Sequence, residues 1–205
     1  MRPVDAERDA EPLYALSHPP TGDPAIWTYL PDGPYDSVAD FRWRLEQDER
    51  SEDPLAFTLA GLPGEVPLGR ASYLRITPEH GVIEIGHIWF GAPLQRRTAA
   101  TEAIYLLPRH AFDDLGYRRL EWKCDALNAA SRRAAERFGF SFERIFRGHM
   151  VIKGRNRDSA WYAIIDLEWP AVRRGFERWL GADNFTPEGT QLRTVGDLIQ
   201  EEIRA

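Results

Sequence analysis

The sequence predicts an α/β domain built on a mixed sheet, with helices on both faces and a helical tail. Three observations predict it. Three strand-like runs follow one another across residues 54–90 with only turn residues between them. Two amphipathic stretches, 98–115 and 128–139, then alternate with further strand-like runs. Neither a meander nor a pair of helices buries its apolar face alone, whereas a sheet covered on both sides does.

The elements follow in order. "DAERDAEPLYALS" predicts a first short helix that Pro12 weakens. "HPPTGDPAIWTYLPDGPYD" is rich in turn residues yet carries Ile26, Trp27, Tyr29, Leu30 and Tyr35, which predicts an ordered loop with aromatic anchors. From Ser37, "SVADFRWRLEQDERS" reads as a helix with a serine N-cap and Val38, Phe41 and Leu45 on its buried face.

"PLAFTLAG", "VPLGRASYLRIT" and "GVIEIGHIWF" are the strands of an antiparallel meander, separated by "LPGE" and "PEHG". The next helix carries Ile104, Leu107, Ala111, Phe112 and Leu115 on one side and stops at Gly116. Pro108 inside it predicts a kink, because a regular helix there would cost about 3 kcal/mol. "YRRLEWKCDAL" is a fifth strand, and "NAASRRAAERFG" a second core helix ended by Gly139.

"FSFERIFRGHMVIKG" and "DSAWYAIIDLEW" predict two long strands joined by a turn around "GRNR". "AVRRGFERWLG" and "TVGDLIQEEIR" are C-terminal helices. We divide the chain into a domain over residues 1–168 and a helical extension over 169–205. The extension's Phe176, Trp179, Leu180, Val195, Leu198 and Ile199 must pack on that domain or on a second subunit, so a homodimer is one expectation.

Composition narrows the function. The 205 residues are 43% hydrophobic, enough for a full core, and carry a net charge of −6, which argues against general nucleic-acid binding. No apolar run approaches the ~20 residues of a membrane span. The N-terminus lacks the apolar region of a signal peptide, so a cytoplasmic location is expected. Cys124 is the single cysteine, which rules out an internal disulfide and a cysteine-built metal cage. It reads as a buried core thiol. No metal is expected.

The chemistry-bearing stretch is "HIWFGAPLQRRTAATEAIYLL", residues 87–107, where strand becomes helix. The first N–H groups of a helix lack carbonyl partners, and the helix dipole adds partial positive charge there. Small residues let an anion approach closely, and Arg96 and Arg97 add charge. Phosphate or pyrophosphate is the natural ligand. The glycines and lysine of a GxxxxGK[ST] loop are missing, as is G-x-G-x-x-G, so a nicotinamide or flavin is unsupported. The alternative is an ordinary first helical turn capped by Thr98 or Thr101.

Gln95-Arg96-Arg97-Thr98-Ala99-Ala100 resembles the pyrophosphate-binding segment Q/R-x-x-G-x-G/A of the GNAT superfamily of N-acetyltransferases, with Thr98 where the family usually has glycine. "WKCDALNAAS" (122–131), "AERFGFSFE" and the "HMVIKGRNRDSAWY" hairpin (149–162) are similar to its ribosomal-protein-alanine acetyltransferase branch. The likeness spans roughly residues 5–168 and implies a sheet that splays between two parallel strands.

That resemblance implies acetyl-CoA as co-substrate. The strand end Ile88, Trp89 and Phe90 would meet its pantetheine arm, and one of those N–H groups would polarise the thioester carbonyl. Gln95, Arg96, Arg97, Thr98, Ala99, Ala100 and Thr101 would hold the pyrophosphate. Asn128 would bond the pantetheine, unless it serves only as a helix N-cap, and Ser131 would lie near the sulfur and protonate the leaving thiolate. Three residues compete as general base: Glu84, His87 and His149. "EIGHIWF" is one residue longer than the branch pattern, so a bulge there could aim His87 inward in place of Glu84. Arg157 and Asp158 are expected as a surface ion pair or as the rim of the acceptor site.

The expected activity is transfer of an acetyl group to a primary amine, on a small molecule or peptide, by direct attack in a ternary complex. The competing expectation is a catalytically silent acyl-CoA sensor or partner subunit.

Overall fold

The computed structural model describes residues 1–205. The elements run β1 (Arg2–Pro3), α1 (Ala6–Ser17), α2 (Val38–Arg50), β2 (Leu55–Gly61), β3 (Val66–Thr77), β4 (Val82–Phe90), α3 (Thr98–Arg109), β5 (Arg119–Asp125), α4 (Ala129–Arg137), β6 (Ser141–Ile152), β7 (Arg155–Ile165), α5 (Trp169–Leu180) and α6 (Val195–Arg204). The seven strands form a mixed sheet in the order β1-β2-β3-β4-β5-β7-β6. The mixed α/β architecture is the one the sequence predicts. No helix is long and apolar enough to cross a membrane. Two compact units divide the chain: residues 1–76, 84–103 and 152–154 form one, and residues 77–83, 104–151 and 155–205 the other.

In the first unit, Asp5 caps α1 by accepting the Arg8 N–H at 2.9 Å, and Pro12 leaves the helix unbroken. Ser37 caps α2 as expected, and its Phe41 and Leu45 are fully buried. The α1–α2 loop is ordered by its aromatics. Trp27 is buried, donates its indole N–H to the Ser17 carbonyl at 3.1 Å, and meets Tyr35 and Phe41 edge-on. Buried His18 accepts the Tyr35 N–H on Nε2 at 3.0 Å. Its ring proton therefore sits on Nδ1, 3.2 Å from the Tyr14 carbonyl, and burial lowers its pKa.

The sequence gives no sign of β1, a two-residue strand antiparallel to β2. Its Arg2 forks onto Asp9, which is fully buried and also accepts from the Thr58 hydroxyl at 2.5 Å. The antiparallel pairing of β2 with β3, Thr58 opposite Arg70, matches the expected meander.

In the second unit, β5 pairs antiparallel with β7 from Arg119↔Ile165 to Asp125↔Ser159. Pro108 stays inside α3, and the chain then widens to a π-helical turn over His110–Asp114 before Gly116 ends it at φ 69°. A π turn accommodates the lost hydrogen bond where a simple kink was expected. The β6–β7 turn is the pair Lys153–Gly154, both with positive φ, rather than "GRNR". Two left-handed residues make a tight hairpin, so β7 begins at Arg155. Trp169 opens α5 instead of ending a strand, because Pro170 fits a first helical turn, where no N–H is needed.

The tail helices pack on each other and on α4. Val172, Phe176, Trp179, Val195, Leu198 and Ile199 are buried, and Leu180 partly so. Gly175 permits the close crossing: a methyl there would lie 2.6 Å from the Ile199 Cα and 2.5 Å from its Cγ1. Backbone at that distance cannot yield cheaply. Gly175→Ala should therefore destabilise the fold by about 1–3 kcal/mol in denaturant unfolding. An unchanged midpoint would mean that the α5–α6 crossing is looser than described.

Candidate functional site

Within the first unit the strand-to-helix junction is built by a run of short turns. After β4, Gly91 donates its N–H to the Leu68 carbonyl at 2.8 Å. The Leu94 and Gln95 N–H groups both return to the Gly91 carbonyl, at 2.9 and 3.2 Å, and the Arg97 N–H reaches Leu94. Gly91 and Leu94 are buried, while Gln95, Arg96, Arg97, Thr98 and Ala99 are exposed. The Gln95 side chain donates to the Phe90 carbonyl at 2.8 Å, which ties the loop to the end of β4.

Thr98 is not left-handed; Arg96 is, at φ 59°. A left-handed residue inside a right-handed turn aims successive N–H groups into a concavity suited to an anion. Thr98 opens α3, and buried Thr101 lies within its first turn. The Ala100 N–H already donates to Arg97 at 3.0 Å. By helix geometry the N–H groups of Thr98 and Ala99 have no intrahelical acceptor.

β4 carries the second left-handed residue, His87 at φ 49°. Inside a strand such a residue marks a bulge and redirects its own side chain. His87 faces a chain of alternating charges. The Tyr35 hydroxyl donates to Asp32 at 2.8 Å, and Arg44 lies 3.1 Å from Asp32 and 2.6 Å from Asp48. Asp48 in turn holds Arg70. Asp48 and Arg70 are buried, and the Arg70 Nε finds no acceptor within the protein. Burial lowers the His87 pKa; Asp32 and Asp48 pull it upward, and Arg70 and Arg44 oppose them. The same burial, reinforced by Asp32, drives the Tyr35 phenol above its usual range.

Of the other β4 candidates, Glu84 is buried and paired with Arg75 at 2.9 Å. Trp89 is buried against Trp27, with ring centroids 6.1 Å apart, while Ile88 and Phe90 are half-buried. A β-carbon on Gly69 would run into the Trp89 carbonyl, so the absent side chain lets β3 lie close against this strand end.

In the second unit Asn128 is the N-cap of α4: its Oδ1 accepts the Ser131 N–H at 3.0 Å. That leaves the amide NH2 for another acceptor. The Ser131 hydroxyl accepts from the Trp122 indole at 2.9 Å and contacts the buried Cys124 thiol, whose pKa burial raises. A hydroxyl that accepts from Trp122 keeps its own proton to donate.

His149 Nδ1 lies 2.8 Å from the Ser159 hydroxyl, flanked by the Phe146 and Trp161 rings. Arg157 and Asp158 are not paired with each other, since neighbours along a strand point to opposite faces. Arg157 donates to Ser159 at 3.2 Å. Asp158 accepts from the Gly148 N–H at 2.7 Å and from Asn156 at 3.0 Å, bonds that lower its pKa.

The sequence reading did not single out the Asp32–Arg44–Asp48–Arg70 chain. The available signal was Arg44 and Asp48 spaced four apart on α2, and Arg70 between apolar and small residues in the middle of β3.

Comparisons with known proteins fall on this architecture. The family described as "Acetyltransferase (GNAT) domain" matches residues 1–141. The fold is similar to a crystal structure of a GCN5-related N-acetyltransferase from Brucella melitensis, with a TM-score of 0.91 and 43% identity over 97% of this chain and 89% of that one. It is also similar to a GNAT-family protein from Chromobacterium violaceum ATCC 12472, with a TM-score of 0.76 and 41% identity over 82% and 83% of the two chains. No curated protein matches in sequence.

The burial of His87 has a direct check. Its imidazole should titrate below 6.5 by NMR and so be neutral at pH 7. A midpoint at or above 6.5 would show that solvent, or the two aspartates, outweighs burial.

Proposed function

The chain belongs to the GNAT acetyltransferase family, and from that premise we propose that it moves the acetyl group of acetyl-CoA to a primary amine by direct attack, both substrates being bound together. Residues 1–168 carry the activity in this reading, and the acceptor is a small molecule or a peptide. The observation that carries it is the junction between β4 and α3, where left-handed Arg96 and exposed, small or cationic residues meet a helix N-terminus.

The residues fit a diphosphate. Thr98 and Ala99 offer backbone N–H groups, Arg96 and Arg97 bring two guanidinium groups, and no carboxylate stands among residues 91–101. Gln95 braces the loop through Phe90, so we assign it a positioning part. Ala100 closes the turn through its bond to Arg97, and buried Thr101 packs beneath it. We assign the pantetheine arm to the backbone of Ile88, Trp89 and Phe90 and to the free amide of Asn128. Acetyl-CoA supplies the activated acetyl group; the protein orients it and manages protons.

Among the three candidate bases we choose His87. A base must be neutral when the amine arrives, and burial keeps this imidazole neutral at pH 7. Glu84 is committed to Arg75, so we assign it to holding β3 and β4, and His149 to the hairpin through Ser159. The Asp32–Arg44–Asp48–Arg70 chain and Tyr35 line the acceptor side in this reading, where Asp32, the most exposed carboxylate of the four groups, attracts an ammonium. Ser131 returns a proton to the leaving thiolate.

Two measurements test the proposal. Calorimetry should find acetyl-CoA bound at micromolar strength, and Thr98→Pro should weaken it about tenfold or more, the worth of one hydrogen bond to a charged group. Proline suits the first position of a helix, so the fold should survive. Intact affinity in that variant would place the phosphates elsewhere, and no binding at millimolar ligand would reject the family activity for this chain.

With a panel of amines and a thiol-release readout, kcat/KM should fall as pH drops through the lowered His87 pKa. That acid limb should disappear in His87→Gln. A limb that persists in the variant assigns the base to another group.

A further inference from the structure

The sheet ends differently at its two margins. One edge is β1, only two residues long; the other is β6, twelve residues long. Soluble proteins blunt their edges by keeping them short, charged or covered, because an open strand offers a row of unpaired N–H and C=O groups. Here every residue from Ser141 to Gly148 is exposed. The edge carries large apolar side chains as well: Phe142 is 49% exposed, Ile145 36%, Phe146 44% and Val151 74%. Phe142 rests on Tyr162 and Phe146 on Trp161, and both still face solvent with nearly half their surface.

We propose that a second copy of this chain docks on this edge, β6 against β6, antiparallel about a twofold axis through Ile145. A twofold between antiparallel strands sets one residue opposite its own copy, which leaves a short choice of registers. Centring on Glu143 or on Arg144 puts like charges face to face, which is destabilising. Centring on Ile145 sets apolar against apolar on the axis and Glu143 against Arg147 on both sides of it. Arg144 then lies over the partner's Phe146. A parallel arrangement in register would oppose every charge to itself. The charges around Ile145 are thus self-complementary in one orientation.

The Glu143 carboxylate is 43% exposed and held in place by Arg119, with contacts of 2.8 and 2.7 Å, so it is presented rather than free to swing. The copies would extend the sheet across the axis and close the open edge, leaving no surface for further growth.

Light scattering of the full chain tests this. The expected molar mass is about twice 23.5 kDa at roughly 100 µM protein, reverting to 23.5 kDa in Ile145→Lys and in Arg147→Glu. Both residues are exposed, so their melting temperatures should match the wild type within a few degrees. The register has its own readout. Ile145→Cys should form a disulfide-linked dimer on mild oxidation, because opposed residues of antiparallel strands lie ~4.5–5.5 Å apart at Cα, within disulfide range.

Phe142→Cys should not cross-link, because it would stand ~20 Å from its copy. The native Cys124 is buried and adds little background. A wild-type monomer at that concentration, a dimer indifferent to both charge variants, or cross-linking by Phe142→Cys in place of Ile145→Cys would each overturn the proposal.

Discussion

Everything at the candidate site depends on the direction of a few backbone N–H groups, and two left-handed side-chain-bearing residues set it. His87 and Arg96 bracket the passage from β4 to α3. Each conformation costs about 1–2 kcal/mol for a residue with a β-carbon, so it persists only where the surroundings enforce it. The enforcement is visible around Arg96: Gly91 is pinned to Leu68, two N–H groups converge on the Gly91 carbonyl, and Gln95 clamps Phe90. Glycine at Arg96 would adopt the same turn without that cost. An arginine there places a guanidinium beside the helix start, which a glycine could not do.

The buried charges beside His87 are the second cost the fold carries. Asp48 and Arg70 are withdrawn from water, and a buried ion pair gains little over apolar packing of the same volume. Pairing alone therefore does not account for the Asp32–Arg44–Asp48–Arg70 chain. At His87 its two carboxylates pull the pKa up and its two guanidinium groups push it down, while burial is the largest influence and favours the neutral imidazole. Glu84, three residues earlier on the same strand, has a different environment, with the Arg75 guanidinium at 2.9 Å.

The sequence revealed the elements more fully than the site. Periodicity places Phe41 and Leu45 inside α2, Ser37 forms the expected cap, and Asn128 forms the cap that stood as the alternative to a pantetheine contact. The extra residue in "EIGHIWF" anticipates an irregular backbone, and His87 is left-handed there. What escapes the sequence is the sign of φ at residues other than glycine. Thr98 occupies the position where the family's glycine suggested a left-handed turn, yet the turn falls at Arg96, two residues earlier. No pattern of side chains marks that, because the carbonyl partners that force it come from Leu68, Gly91 and Phe90. The Asp48–Arg70 pair is hidden for a related reason: it joins a helix to a strand 22 residues further on, beyond any local spacing rule.

The tail is also more than an appendage to its unit. Glycine at 139 is left-handed and lies within 3.1 Å of Val172 and Ile199 methyls by the position its own β-carbon would take, so the end of α4 is seated directly on α5 and α6. Phe138 carries that contact inward: it stacks on Phe176 of α5 at 5.8 Å and tilts against Trp122 of β5 at 6.4 Å. Trp122 is the residue whose indole N–H fixes the Ser131 hydroxyl. A continuous aromatic path therefore runs from the tail to the Ser131 hydroxyl. Interiors this closely packed have little slack, so Phe138 and Trp122 tie the seating of α5 to the placement of that hydroxyl.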